Sequence, residues 1–390
     1  MDSKKKRLSA EVEALAGDLY AVSEFLYRNP EIGYQEFKAC EFLSQFLEKQ
    51  GFEVVRGVGG VKTAFLARPS GRPKTRPAIT FLAEYDALPG VGHGCGHNLI
   101  AASSLGAGVA LSRLIDGLPG SLAVVGTPAE EGGGGKILLA EAGVFSEMDM
   151  AMMFHPSRLN RPGEEMLGRV KLKVEFFGKA AHASVSPDRG INALDAMVAA
   201  YNHISALRQA VRPEARIHGI ITHGGDAPNI IPQYTAGLFY IRAATRSYRE
   251  ELFKRVEKCI EGAATATGAT YRIEVGHPTF DPLKRNPPLE EAVRANMEAL
   301  GILIDPDDCR RGSSDIGNLS YYLPAIHPTL AIVEPEVPGH SEVFREASVS
   351  PRGREALLKA AKVLAMTGYD FLTSTELREK VKEAFKEKER

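Results

Sequence analysis

At 390 residues the chain is too long for one small core and predicts one large or two ordinary domains. Its 44% hydrophobic and 25% charged residues exclude a largely disordered chain, and 48 Lys+Arg against 49 Asp+Glu leave a net charge of −1, no general electrostatic case for nucleic acid or membrane. Cys40, Cys95, Cys259 and Cys309 stand far apart, unlike a secreted disulfide framework, and Lys4-Lys5-Lys6-Arg7 precedes polar residues rather than a signal-peptide core. The apolar run Leu99 to Leu111 is too short to span a bilayer, so a cytoplasmic protein is the expectation.

Leu8, Val12, Leu15, Leu19 and Val22 recur at three- and four-residue steps and predict one helix, extended by Phe25 and Leu26 and ended by Asn29-Pro30. A second amphipathic helix is predicted from Gln35 to Lys49, with Gly51 as its stop. Strand-like runs follow at Glu53 to Arg56, Thr63 to Ala67 and Ala78 to Ala83. Then come a small-residue helix at Leu99 to Leu114, a strand at Ser121 to Gly126, a helix at Ile137 to Ala142 and a strand at Asp149 to Phe154. Such alternation predicts an α/β fold with a central sheet covered on both faces.

Near Gly168 the texture changes. Val170, Leu172, Val174 and Phe176 alternate with Lys171, Lys173 and Glu175, the period of a half-exposed strand. A helix at Ala193 to Gln209, strands at Ile217 to Thr222 and Ala236 to Arg242, a helix at Tyr248 to Thr267 and a strand at Tyr271 to Val275 complete an α+β block. After Pro282 a helix at Leu289 to Leu300, an apolar run at Thr329 to Val333 and a helix at Pro351 to Leu372 restore the first texture. The parse is a discontinuous main domain, 1–167 plus 281–390, with 168–280 inserted. The charged helical pattern Glu376 to Arg390 is expected to be solvated.

The densest chemistry is His93-Gly94-Cys95-Gly96-His97, directly after Glu84-Tyr85-Asp86-Ala87-Leu88-Pro89. A thiolate and an imidazole two positions apart on a glycine-rich loop can approach one metal ion or a close pair. The bland alternative is a structural cysteine beside a loop histidine. Glu130-Glu131, after a predicted strand and before four glycines, can divide labour between metal binding and general base, or be a surface acidic pair. His155 follows another predicted strand, and His340 stands in Pro338-Gly339-His340-Ser341-Glu342. Singly each histidine is more often structural. Together at strand ends, where α/β sheets build sites, they point to a metal centre.

On these residues the chain resembles the aminoacylase and carboxypeptidase-G clan of dinuclear metallohydrolases. Within it the likeness is to the amidohydrolase branch of p-aminobenzoyl-glutamate hydrolase, β-alanyl-lysine dipeptidase and indole-acetyl-amino-acid hydrolases. The matching text is AEYDALPG at 83–90, GHGCGHN at 92–98, GTPAEEGGGGK at 126–136, FHP at 154–156, GKAAHAS at 178–184 and PNIIP at 228–232. The resemblance implies a zinc-peptidase-like central mixed sheet flanked by helices, with the inserted α+β domain serving as lid and dimerisation domain. It implies Cys95, His97, Glu131, His155 and His340 as ligands of two divalent ions, zinc, manganese or cobalt, with Glu130 as general base and Asp86 orienting the ligands. It further implies that His182 reaches the active site of the opposite subunit of a homodimer to stabilise the oxyanion, and that Asn229 and Arg242 bind substrate, Arg242 through its carboxylate. Read from the sequence alone, Arg242 is more often an exposed strand-end charge. Asn98 and Ser313-Ser314-Asp315 depart from the wider pattern toward the p-aminobenzoyl-glutamate and β-alanyl-lysine sub-branch.

The implied activity is hydrolysis of the amide bond of N-acyl or aminoacyl amino acids or dipeptides, with a β-alanyl-lysine-type dipeptidase or a non-cleaving binding relative as alternatives. Gly339-His340-Ser341-Glu342-Val343 lacks the last glycine of a serine-hydrolase elbow. Gly132 to Lys136 lacks the spacing and Ser/Thr of a phosphate loop. Neither nucleic acid nor membrane is an expected partner.

Overall fold

The computed structural model describes residues 1–307 and 311–387, so Cys309 and the last three residues of the charged tail lie outside the described residues. At the start of α1 (Ser3–Ala14) the Asp2 carboxylate accepts the Lys5 N–H at 2.8 Å. The single helix predicted here is two, because the chain makes a turn at Leu15 before α2 (Ala16–Arg28), the Leu15 N–H bonding back to Val12. Leu15 keeps near-helical angles (φ −89°, ψ −4°), so the apolar stripe Leu8, Val12, Leu15, Leu19, Val22 stays in register and buried. Asn29, forced out of the α region by Pro30, ends α2, and Gly51 turns the chain after α3 (Phe37–Lys49) through a φ of 85°.

The strands and helices that follow are β1 (Phe52–Arg56), β2 (Phe65–Pro69), β3 (Ala78–Ala83), α4 (His97–Ser112), β4 (Ser121–Gly126), α5 (Gly135–Glu141), β5 (Met150–Met152) and β6 (His155–Ser157). The inserted block holds β7 (Gly168–Phe177), α6 (Ala193–Leu207), β8 (Arg216–His223), β9 (Tyr234–Ala243), α7 (Arg246–Thr267) and β10 (Thr270–Phe280). The chain closes with α8 (Pro287–Ala299), α9 (Ile316–Leu319), β11 (Ala325–Ile326), β12 (Thr329–Ala331), α10 (Glu342–Ala347), α11 (Pro351–Thr373) and α12 (Thr375–Lys386).

Contacts divide the chain into two units, one of Met1–Glu164 with the described residues from Lys284 onward, the other of Glu165–Leu283. The first is an α/β layer whose six-stranded mixed sheet runs β1-β2-β4-β3-β5-β11, parallel from β4 to β11 and antiparallel at the β1–β2 and β2–β4 pairings. β3 is buried at every residue, as a central strand covered on both faces must be. α4 is buried from His97 to Leu111, and its glycines allow that closeness: a Cβ on Gly106 would sit 2.7 Å from Leu19 Cδ1, and one on Gly108 2.4 Å from Val124 Cγ2. The predicted strand Asp149 to Phe154 forms only as β5, which pairs with β3 and β11 in the large sheet; the chain then leaves that sheet, and a short strand the sequence did not predict, β6, pairs with β12, Thr329 opposite His155.

The second unit is the α+β block: an antiparallel sheet in the order β10-β7-β9-β8 with α6 and α7 on one face. Val170, Leu172, Val174 and Phe176 point into that face against Met197, Ala200, Ile204, Leu252, Val256 and Ile260. The charged tail departs from its expected solvation. Leu377, Val381 and Phe385 recur every fourth residue of α12, Val381 is buried, and its carbonyl accepts the Asn286 Nδ2–H at 3.0 Å beside α8. No helix among the described residues is long and apolar enough to cross a membrane.

Candidate active site

Four loops at strand ends of the first unit carry the chemistry. β3 runs into Glu84-Tyr85-Asp86, all buried, and Thr127 after β4 ties back to the Ala83 carbonyl at 2.7 Å, fixing two adjacent strand ends. Gly96 takes φ +78° to start α4, and a Cβ there would lie 2.5 Å from Pro156 Cγ, so glycine lets Cys95 and His97 approach His155. The acidic turn needs equal closeness. A Cβ on Gly135 would fall 1.8 Å from the Pro128 carbonyl oxygen, and Ala129 itself takes φ +58°. His340, also at φ +58°, is pinned by its N–H to the Gly94 carbonyl at 3.0 Å.

These loops bring six side chains together. The ligand atoms of Cys95, His97 and His155, of Cys95, Glu131 and His340, and of His97, Glu130 and Glu131 form three groups, each lying within 4.8 Å of one another. Cys95 Sγ is 3.4 Å from His155 Nε2, and His340 Nε2 is 3.6 Å from Glu131 Oε1. Asp86 supports two of them: Oδ1 lies 3.0 Å from His97 Nδ1, and Oδ2 accepts the Glu131 N–H at 2.9 Å. His155 Nδ1 faces the Pro156 carbonyl at 2.7 Å. Both imidazoles thus present Nε2 inward, as metal-bound histidines do.

The donor set suits a borderline divalent metal. His97 Nε2 and Glu131 Oε1 are buried without a hydrogen-bond partner, an arrangement that costs free energy unless a cation takes their lone pairs. The electrostatics agree. Burial, then the carboxylates of Glu84, Glu131 and Asp315, push the Glu130 pKa well above the ordinary range, and burial with Glu131 raises the Cys95 thiol. Burial and the charge of His97 hold His155 down to about 3. Burial works against the charge on His97, but Asp86 and Cys95 outweigh it and raise its pKa. So many anionic donors in one buried place call for positive charge.

Sequence reasoning passed over the fixed cation that stands behind them. Lys136 is fully buried, its Nζ 2.7 Å from Asp315 Oδ1 and also paired with Glu84 Oε1, while its N–H bonds Asp315 Oδ2 at 2.9 Å. Glu84 Oε2 lies 3.5 Å from His97 Nε2, which joins this triad to the candidate metal-binding cluster. A lysine ending a glycine run was the only local signal. Glu36 was also missed: it accepts the Ala129 N–H at 2.8 Å and the Thr63 hydroxyl at 2.9 Å, bracing the turn that carries Glu130. His327 stacks at 5.2 Å from His155, and burial drives its pKa well down. Asn98 turns away from the cluster and donates to Ser23 Oγ at 2.9 Å.

The remaining predicted residues belong to the second unit and are not gathered in one place. His182 bridges to Ile230, and the Ala183 N–H bonds the Asn229 carbonyl at 2.9 Å, so His182 and Asn229 share a corner next to the start of β9. Arg242 is at the far end of β9 from Tyr234, roughly 25 Å along the strand. It is half-buried there, its Nε 3.4 Å from His218 Nε2.

The model of Peptidase family M20/M25/M40 matches residues 80–367. The chain belongs to that family. It is 39% identical over 98% of its length to a human Xaa-Arg dipeptidase, of which 92% is covered. It is 34% identical over 64% of its length to a p-aminobenzoyl-glutamate hydrolase chain of Escherichia coli, of which 56% is covered. The crystal structure of a dinuclear metal-binding peptidase from Bacillus subtilis superposes with a TM-score of 0.73 at 20% identity, covering 92% of this chain and 99% of that one. This M20-family chain is accordingly a metallo-amidohydrolase, a hydrolase of peptide or amide bonds.

Proposed function

We propose that this M20-family hydrolase cleaves the amide bond joining an acyl or aminoacyl group to a C-terminal amino acid, using two divalent ions, zinc, manganese or cobalt. The observation that carries the reading is the convergence of Cys95, His97, Glu131, His155 and His340 around Glu130. In this reading those five residues hold the ions and Asp86 fixes the orientation of His97 and Glu131. Bound cations would polarise the scissile carbonyl and acidify the attacking water. Glu130 accepts the proton of that water and delivers it to the leaving amine. Ser341 offers no competing nucleophile: its hydroxyl caps α10, donating to the Pro338 carbonyl at 2.7 Å and accepting the Phe344 N–H at 3.2 Å.

Arg242 is assigned to the substrate carboxylate, and His182 with Asn229 to the tetrahedral oxyanion and substrate. A small substrate cannot span the length of β9, so these two sets serve one site only if they come from two copies of the chain. The exposed edge strand β8, with Ile220 at 62% exposure, supports a homodimer. The free thiols Cys40, Cys95 and Cys259 support a cytoplasmic setting. Given the human relative, dipeptides ending in arginine head the substrate panel, followed by β-alanyl-lysine, p-aminobenzoyl-glutamate and N-acyl amino acids.

The test is metal content and hydrolysis measured together, before and after chelation. About two ions per chain, activity lost on chelation and restored by added metal is the expected result. Metal-free protein that still cleaves would overturn the mechanism, and a fully active monomer would overturn the two-chain site. Cys95→Ser exchanges a thiolate for a poor ligand and is expected to lower metal content and to abolish the thiolate-to-metal absorption of the cobalt-loaded protein. Full metal content in that variant would remove Cys95 from the ligand set.

A further inference from the structure

The face of the second unit's sheet turned away from α6 and α7 carries a row of cations. Arg169 on β7 lies directly opposite Arg242 on β9, which lies opposite Arg216 on β8. Cross-strand partners project to the same face of a sheet, and like charges placed so repel one another. Both central guanidinium groups rest on the Tyr240 ring, their carbons 5.3 Å and 5.8 Å from its centroid, and that of Arg169 also lies 4.2 Å from the Phe280 centroid. Arg169 is thereby held half-buried, and its Nε is buried without a hydrogen-bond partner. No carboxylate pairs with it among the described residues. On this face Glu175 and Glu274 stand toward the other end of the sheet, and Glu175 is occupied by Lys173 at 2.8 Å and Arg272 at 2.6 Å. Asp281, near in sequence to Phe280, is taken by Arg246 and by Arg249 at 2.7 Å.

We infer that Arg169 is a second arm of the carboxylate-binding site, acting beside Arg242 on the free carboxylate of the substrate's C-terminal amino acid. The inference rests on the proposed function, which assigns the carboxylate to Arg242, and extends it to a residue that no motif marks. Two guanidinium forks held against aromatic rings lose little entropy when they close on a planar carboxylate. An anion between them would relieve the cross-strand repulsion and satisfy the orphaned Nε. Burial, then the charge of Arg169, lowers the Arg242 pKa, the direction expected of two guanidinium groups held close together.

The deciding experiment compares a good dipeptide substrate with its C-terminal amide, on the full-length metal-loaded protein. For Arg169→Met, KM for the free acid is expected to rise about ten- to a hundredfold with kcat little changed, while the amide is cleaved as by wild type. Arg169→Lys, which keeps the charge and loses the fork, should fall between, and melting temperatures of both variants check the fold. An equal change on acid and amide would make Arg169 structural, and no change on either would also overturn the inference. The same pair titrated by calorimetry onto Glu130→Gln protein gives the comparison without turnover. Absence of hydrolysis would then count against the proposed function, while the acid–amide difference in binding still decides the role of Arg169.

Discussion

Replacing Glu130 by glutamine is expected to lower kcat by about a hundred- to ten-thousandfold while metal content stays at the wild-type level. Glutamine has the same shape and can still hydrogen-bond, but its amide cannot take a proton from water. The geometry makes this a discriminating test, because Glu130 Oε2 lies 4.0 Å from His97 Nε2 and could itself ligate an ion. Falling metal content would make Glu130 a ligand, whereas full content with lost turnover would make it the base. Its environment sets the pH signature. Burial and the carboxylates of Glu84 and Glu131 raise its pKa, so kcat/KM rises with pH as Glu130 loses its proton. Bound cations pull that limb back toward lower pH. In the glutamine variant the residual activity should lose the limb altogether, which a pH–rate profile on both proteins reads directly.

Lys136→Met is expected to cost about 3–5 kcal/mol of stability, because it leaves Glu84 and Asp315 buried without their shared cation. For a chain of this size that is a fall in melting temperature of about 4–6 °C. The pH dependence follows from Glu84, whose pKa burial already raises against the pull of Lys136. A carboxyl with a raised pKa in the fold makes the folded state bind more protons than the unfolded one, so stability falls as pH rises above the ordinary carboxylate range. Without Lys136 that pKa climbs further, and the deficit relative to wild type should widen from pH 5 to pH 8. Thermal melts across that range measure it, and a uniform deficit would show that Lys136 acts by packing alone.

The sequence announced this fold where its signals are local. β3 and β4 are short apolar runs bracketed by polar turns, and β7 alternates in period two, so their limits were legible. That Asp86, Cys95, His97, Glu130 and Glu131 would be brought together was legible for the same reason, each lying within a short motif at a strand end. What escaped depends on long-range geometry. Glu84, Lys136 and Asp315 become a triad only when α5 and α9 pack together, and an isolated lysine gives no sign that it will be buried. β6 went unread because three residues, one of them Pro156, carry no strand period of their own and form a strand only by pairing with distant β12. The Arg169–Arg242 pairing exists only in the register of the sheet. The α12 stripe was hidden because three apolar residues are diluted among many charges.

The first unit is made from both ends of the described chain, and this has a consequence for how the protein is made. Lys136 meets Asp315 across 179 positions, and α4 lies against α11, whose Asp370 also holds Lys5. At 5–20 residues per second a ribosome needs roughly ten to forty seconds to deliver the second partner after the first. Meanwhile the stretch Glu165–Leu283 emerges with all its strands and helices contiguous and can fold as it leaves the tunnel. A half-made molecule therefore carries a finished second unit and an open catalytic half, with the apolar flank of α4 bare and Lys136 lacking one of its two counter-ions, Asp315. That flank is where nascent-chain chaperones would be needed. The hydrolytic centre cannot be complete before Asp315 and His340 have been synthesised, late in the chain.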